Sequence, residues 1–175
     1  AVYNKNGKEI IPPKYNKIED AGNGYFKIYN RTGKNFDYAY GLFSPSGEQL
    51  TEFKYREIGQ FHNGFIKVRL TPKYVMKSPG VQSKNTEHQW TFLDENGKNI
   101  TDMVFEDAGD FEDGLAPVCK DKKIGFLNTK GELVIDYKYQ KYSGTKFIDG
   151  LCRVGNENER MGVINTKGET VIPFE

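Results

Sequence analysis

The sequence is short of cysteine, histidine and tryptophan. Its 175 residues include two cysteines, Cys119 and Cys152, two histidines, His62 and His88, and one tryptophan, Trp90. Two thiols give no disulfide framework, and two histidines and two cysteines at these separations match no zinc-ligand spacing. Strand alternation puts Cys119 on a face with Leu115 and Pro117, and Cys152 with Val154 on the other face of the equivalent strand. The expectation is therefore two free, small core residues rather than a bridge. An excess of charge is also missing: 25 Lys+Arg against 24 Asp+Glu leave a formal +1. A general grip on nucleic acid needs a concentrated cationic face, so that class is excluded. No apolar run approaches the about 20 residues of a membrane-spanning helix. The opening Ala1-Val2-Tyr3-Asn4-Lys5 has no apolar stretch of the signal-peptide kind, so any export signal has been removed or was never present.

Aromatic residues and glycine are plentiful. Eleven tyrosines, twelve phenylalanines and nineteen glycines exclude a disordered chain and indicate strands joined by tight turns. The glycines fall into two series. In the first, a short polar residue is followed three positions later by glycine: Asn4–Gly7, Ser44–Gly47, Asp94–Gly97, Asn128–Gly131 and Asn165–Gly168. This is a turn signature in which the first side chain accepts from the turn backbone and glycine takes the left-handed position. Three residues beyond each glycine stands an aliphatic: Ile10, Leu50, Ile100, Val134 or Val171. Eight beyond stands an aromatic: Tyr15, Tyr55, Phe105 or Tyr139.

The second series is Gly24, Gly64, Gly114 and Gly150, preceded by Asn23, Asn63, Asp113 and Asp149. Asn-Gly and Asp-Gly favour the positive φ of tight hairpins. Phe61, Phe111 and Phe147 stand three residues before these glycines, with Ala21 as the exception, and Ile28, Val68, Val118 and Val154 stand four after. Each unit therefore reads as strand, polar turn, strand, irregular crossing with an aromatic, Asx-Gly turn and strand. No window keeps a 3.6-residue period, so helix is expected to be nearly absent. A single unit is too small to bury both faces, and stability must come from packing between neighbours.

These residues resemble a known family. The run Ile124-Gly-Phe-Leu-Asn-Thr-Lys-Gly-Glu-Leu-Val-Ile135, followed by Tyr139 and Phe147-Ile-Asp-Gly-Leu151, is similar to the bacterial WG (KWG) β-repeat. The family tryptophan stands only at Trp90, with Tyr40, Ile124 and Met161 in the matching places. The glycine after it stands at Gly41, Gly125 and Gly162 but is replaced by Thr91. The resemblance implies an all-β array of tandem hairpin repeats, open or curved like a solenoid, with a closed propeller-like ring as the alternative. The units fall at about 1–29, 40–70, 89–121, 123–155 and 160–175, with spacers 30–39 and 71–88. Residue 1 falls inside one unit and residue 175 midway through another, as expected of a segment cut from a longer array. The resemblance implies a bacterial protein, and the balanced charge leaves the cytoplasm, the cell envelope and secretion all open.

The acidic run Glu106-Asp107-Ala-Gly-Asp110-Phe-Glu112-Asp113 lacks the ligand alternation of a calcium loop and reads as a solvated loop. His62 lies in the lead-in to a turn, and His88 closes the longer spacer; no nucleophile elbow or Cys-His signature accompanies either. The Gly-Lys pairs at 7–8, 33–34 and 97–98 lack the rest of a phosphate loop. The spacer 71–88 departs furthest from the pattern, and Lys73, Tyr74, Met76 and Lys77 make it the candidate binding segment, against a plain hairpin extension. The expected function is a non-enzymatic scaffold, without cofactor or metal, that binds a protein, peptide or glycan. A polysaccharide hydrolase using surface carboxylates and a toxin-neutralising partner protein are the alternatives.

Overall fold

The computed structural model describes residues 1–31, 38–70, 89–140 and 144–175. Among them there are fifteen strands and no helix. The first unit supplies β1 (Val2–Tyr3), β2 (Glu9–Ile11), β3 (Lys17–Gly22) and β4 (Tyr25–Arg31). The second supplies β5 (Tyr38–Phe43), β6 (Tyr55–Ile58) and β7 (Phe65–Leu70), and the third β8 (Trp90–Asp94), β9 (Asp107–Ala108) and β10 (Leu115–Lys120). The fourth supplies β11 (Lys123–Asn128), β12 (Leu133–Gln140) and β13 (Leu151–Gly155), followed by β14 (Met161–Asn165) and β15 (Thr170–Ile172).

Every pairing is antiparallel and between chain neighbours. β1 pairs β2, β3 to β8 form a six-stranded sheet in sequence order, and β9 to β15 form a seven-stranded one. None of these sheets closes on itself, so the array is open. The last strand of each unit pairs the first strand of the next, as in Val118↔Gly125 and Val154↔Gly162. The expected irregular crossing is more ordered than its sequence indicates. Tyr55 opens β6, and Phe105 makes an isolated bridge to Trp90. Backbone bonds account for this: Gly59 N–H donates to Lys67 O at 3.0 Å and Glu106 N–H to Cys119 O at 2.9 Å.

Four apolar clusters follow the units. That of the third unit contains Phe92, Phe105, Phe111, Ala116 and Val118, closed by Phe65 from the unit before and Leu127 from the unit after. The aromatic before the Asx-Gly turn meets the residue just after the preceding one: Phe111 lies 4.6 Å from Phe65, and Phe61 lies 4.2 Å from Tyr25. Ala21 holds that aromatic's place in the first unit, and its carbonyl accepts from Phe61 N–H at 2.8 Å.

Cys119 and Cys152 are both buried thiols, and no disulfide joins them. They lie on opposite faces of equivalent strands, as alternation indicates, and those two faces line one cluster. Each core is enclosed both by its own last strand, here β13 with Cys152, and by the last strand before it, β10 with Cys119. Burial pushes the Cys152 thiol up to about 11.

The turns give the array its regularity. All nine glycines of the two series have φ between +74° and +86°. The Asn or Asp before each second-series glycine also has positive φ, near +50°, which makes two-residue hairpin turns. Asn128 Oδ1 accepts from the backbone N–H groups of Lys130 and Glu132 at 2.9 and 3.0 Å, and Asn4, Asp94 and Asn165 repeat this arrangement. First-series glycines also meet the preceding unit. A Cβ on Gly131 would overlap the carbonyl oxygen of Ile100, and one on Gly47 that of Ile10.

Candidate functional site

The alternation of strand directions sends connections of different kinds to opposite rims. The first-series and Asx-Gly turns all fall on one rim. On the other, each unit's last strand passes to the next unit's first strand, and here the lengths vary. β4 and β5 are joined across 32–37 and β7 and β8 across 71–89, whereas Asp121 and Lys122 alone join β10 to β11 and residues 156–160 join β13 to β14. A rigid scaffold carrying variable connections on one edge is the usual arrangement of a recognition surface.

Two groups of side chains stand beneath the longer connections, on the same six-stranded sheet. Arg69 and Trp90 are the last register pair of β7 and β8 before the 71–88 segment. Glu57 Oε2 lies 2.8 Å from Arg69 Nη2, and the Arg69 guanidinium lies 5.6 Å from the centre of the Trp90 ring. Lys67 stands on the same ring at 6.0 Å and pairs with Asp110 at 3.2 Å. The Arg69 Nε is buried and has no hydrogen-bond partner among the described residues. Cation, carboxylate and indole thus form a polar ridge.

The other group holds Tyr29, Tyr38 and Tyr40 at the β4–β5 end. Tyr29 stacks on Tyr38 at 5.1 Å with an interplanar angle of 15° and lies 4.9 Å from Tyr40. Tyr40 donates its hydroxyl to Glu19 Oε2 at 2.9 Å. Burial, reinforced by the Glu19 carboxylate, pushes the Tyr40 phenol up to about 12. Burial alone would raise Glu19, but the Tyr40 and Lys17 contacts outweigh it and hold the carboxyl below its usual range. The Tyr40↔Tyr55 and Tyr55↔Leu70 pairings connect the two groups through β6.

The candidate binding residues Lys73, Tyr74, Met76 and Lys77 lie outside the described residues, as does His88. His62 is exposed, 3.8 Å from Asp110. The acidic run is less a free solvated loop than a seam between units. Asn63 Nδ2 donates to Phe111 O at 2.6 Å and to Glu112 at 3.3 Å, Asp113 accepts from Gly150 N–H at 2.8 Å, and Glu106 accepts from Lys122 N–H at 3.3 Å. Among the described residues no group of three His, Cys, Asp or Glu is placed to hold a metal ion, and no helix is long and apolar enough to cross a membrane.

Sequence reasoning missed the Glu57–Arg69–Trp90 ridge, although Trp90 beside the long spacer was its signal. It also missed a cleft of about 400 Å³ lined by Lys123, Lys138, Tyr139, Asn156, Asn158 and Phe174. One wall of that cleft is a turn of the first-series kind built without glycine. Asn156 Oδ1 accepts from Asn158 and Arg160, and Glu159 takes the positive φ, +61°.

The regular arrangement has a counterpart among known families. The WG containing repeat matches this chain five times, at residues 2–34, 40–74, 90–123, 124–159 and 161–175. The chain belongs to the WG repeat family. No curated protein matches it. Among solved structures, BamB from Moraxella catarrhalis is similar at 10% identity and a TM-score of 0.43, over 94% of this chain and 52% of that one. The computationally designed Ika8 protein is similar at 11% identity and a TM-score of 0.39, over 95% of this chain and 64% of that one. The WG array therefore spans about half of the first and under two thirds of the second.

Proposed function

We propose that this WG array is a non-enzymatic recognition scaffold that binds a protein, peptide or glycan along the rim of variable connections. The segregation of turns carries the reading. Regular positions of the repeat serve turns and core, while variation in length, the only tryptophan and the Tyr29–Tyr38–Tyr40 stack gather at one rim. Lys73, Tyr74, Met76 and Lys77 belong by sequence to the segment between Arg69 and Trp90 and are of the cationic and aromatic types that such binding uses. Tyrosine, tryptophan and arginine are the side chains that dominate binding energy at interfaces.

The test is a screen of peptide and glycan arrays with the intact chain and with a variant whose residues 72–87 are replaced by a short Gly-Ser link. Ligands retained by the intact chain and lost by the variant support the proposal. Ligands held equally by both would move the site to the repeat face. Turnover of any arrayed glycan, abolished by a single carboxylate substitution, would replace the scaffold with a hydrolase.

A further inference from the structure

We infer that equivalent positions at two consecutive unit junctions form paired subsites for a neutral linear oligosaccharide, an assignment of ligand that rests on the recognition scaffold proposed above. The last strand of each unit and the first strand of the next share one register pair near the variable rim: Tyr29↔Tyr40, Arg69↔Trp90, Cys119↔Ile124 and Gly155↔Met161. The place in the repeat is the same each time, but its occupants divide into two kinds. Planar side chains fill it at the two junctions with long connections, 32–37 and 71–89. Where 121–122 and 156–160 join the strands, it holds Cys119 with Ile124, both buried, and Gly155 with Met161. Aliphatic or small residues therefore suffice for packing at this place, and the rings accompany the long connections.

Both junctions carry the same set of groups: ring faces, a carboxylate and a cation that neutralises it. At the first, Tyr29 lies 4.9 Å from Tyr40 and 5.1 Å from Tyr38, while Glu19 accepts from the Tyr40 hydroxyl at 2.9 Å and pairs with Lys17 at 3.1 Å. At the second, the Arg69 guanidinium lies 5.6 Å from the Trp90 ring centre and pairs with Glu57 at 2.8 Å. Solvent still reaches both carboxylates, the Glu19 side chain being 30% exposed and that of Glu57 48%. Tyr38 is 36% exposed. The charges are already paired, so an ionic ligand gains little here. A proline-rich peptide would bring ring contacts but few donors, since proline has no N–H, whereas a carboxylate can only accept. A sugar ring brings an apolar face to lie on tyrosine or tryptophan and hydroxyls that both donate and accept. It can donate to Glu19 and Glu57 and accept from Arg69. From β5 to β8 there are three strand-to-strand steps, about 14 Å at the usual spacing. A chain of sugar units bridges that distance, and a single ring does not.

Trp90 is the only tryptophan, so its fluorescence reports the second subsite directly. The probes are neutral linear homopolymers of glucose, mannose, galactose, xylose and N-acetylglucosamine, from single rings to hexamers, titrated against the intact chain by fluorescence and calorimetry. At least one series is expected to saturate, to shift the Trp90 emission and to gain at least tenfold in affinity from single ring to hexamer as both subsites engage. Tyr38→Ala, at an exposed position, is expected to remove most of that gain while leaving the Trp90 shift at saturation. Glu57→Ala is expected to weaken hexamer binding at least tenfold with unchanged circular dichroism. The inference is overturned if no neutral series saturates at millimolar concentration, or if uronic-acid or sulfated polymers bind more tightly than neutral ones. It is equally overturned if both variants bind the hexamer as the parent does. A peptide that binds where no glycan does would remove the oligosaccharide and leave the recognition scaffold standing; the absence of any ligand, peptide or glycan, would remove both.

Discussion

If turn glycines join one unit to the next, the same substitution must cost different amounts at different ends of the array. Gly7 and Gly131 hold equivalent positions with φ of +74° and +80°. A Cβ on Gly7 meets nothing within 4 Å, whereas one on Gly131 overlaps the Ile100 carbonyl oxygen and comes within 2.7 Å of its carbon and 3.0 Å of Thr101 Cβ. Placing alanine in the left-handed region costs about 1–2 kcal/mol at either site. Gly131→Ala adds an overpacking cost of about 1–3 kcal/mol, because the obstructing atoms are backbone. Gly7→Ala is therefore expected to lower stability by about 1–2 kcal/mol and Gly131→Ala by about 2–5 kcal/mol, read from urea unfolding with the m-value checked for constancy. The check on the m-value matters because repeat arrays lose cooperativity when one junction is weakened. Equal losses for the two variants, within about 0.5 kcal/mol, would refute the junction role of the glycine and leave only its conformational one.

Four further outcomes follow. Phe111→Ala is expected to cost about 3–5 kcal/mol, since the ring is buried against Phe65 and Phe92 at 4.6 and 5.0 Å; a loss under about 1 kcal/mol in urea unfolding would contradict the packing. Glu159→Gly is expected to raise stability by about 0.5 kcal/mol, because glycine relieves a positive φ of +61° at some entropic cost; a lowered melting temperature would show that the Glu159 side chain has another role. Burial pushes the Tyr55 phenol from 10.0 to about 12, so the folded state holds this proton more tightly than the unfolded state does. That stabilisation is whole below pH 10 and is lost as pH rises toward 12, at most about 1.4 kcal/mol per pH unit, and Tyr55→Phe is expected to flatten the alkaline fall in urea midpoint. The Cys152 thiol, raised to about 11 by burial, is expected to resist thiol reagents at neutral pH until the chain unfolds; prompt labelling of the folded protein would contradict its burial.

The turns were legible because their chemistry is local. An Asn or Asp that bonds its own turn backbone, and a glycine at positive φ, are fixed by residues a few positions apart, so Asn128–Gly131 and Asp113–Gly114 could be placed from spacing alone. Glu159 shows the limit of that reading: its turn is held by Asn156, and no glycine advertises it. The strand at Tyr55 was hidden because its pairing partners, Tyr40 and Leu70, lie 15 residues away on either side and hydrogen bonding rather than composition orders it. The faces of Cys119 and Cys152 were legible from alternation, but their meeting in one cluster was not, since alternation does not tell which two strands enclose one core. The Glu57–Arg69–Trp90 ridge depends on three strands meeting and left only the position of Trp90 as a trace.

Hydrogen exchange on the complex with an array-selected ligand tests the recognition scaffold most directly. The account predicts slowed exchange in 32–37 and 71–88 and at the strand ends beside them, around Arg69 and Trp90. Protection confined to the opposite rim, at 4–8, 44–48, 94–98 and 128–132, would contradict it.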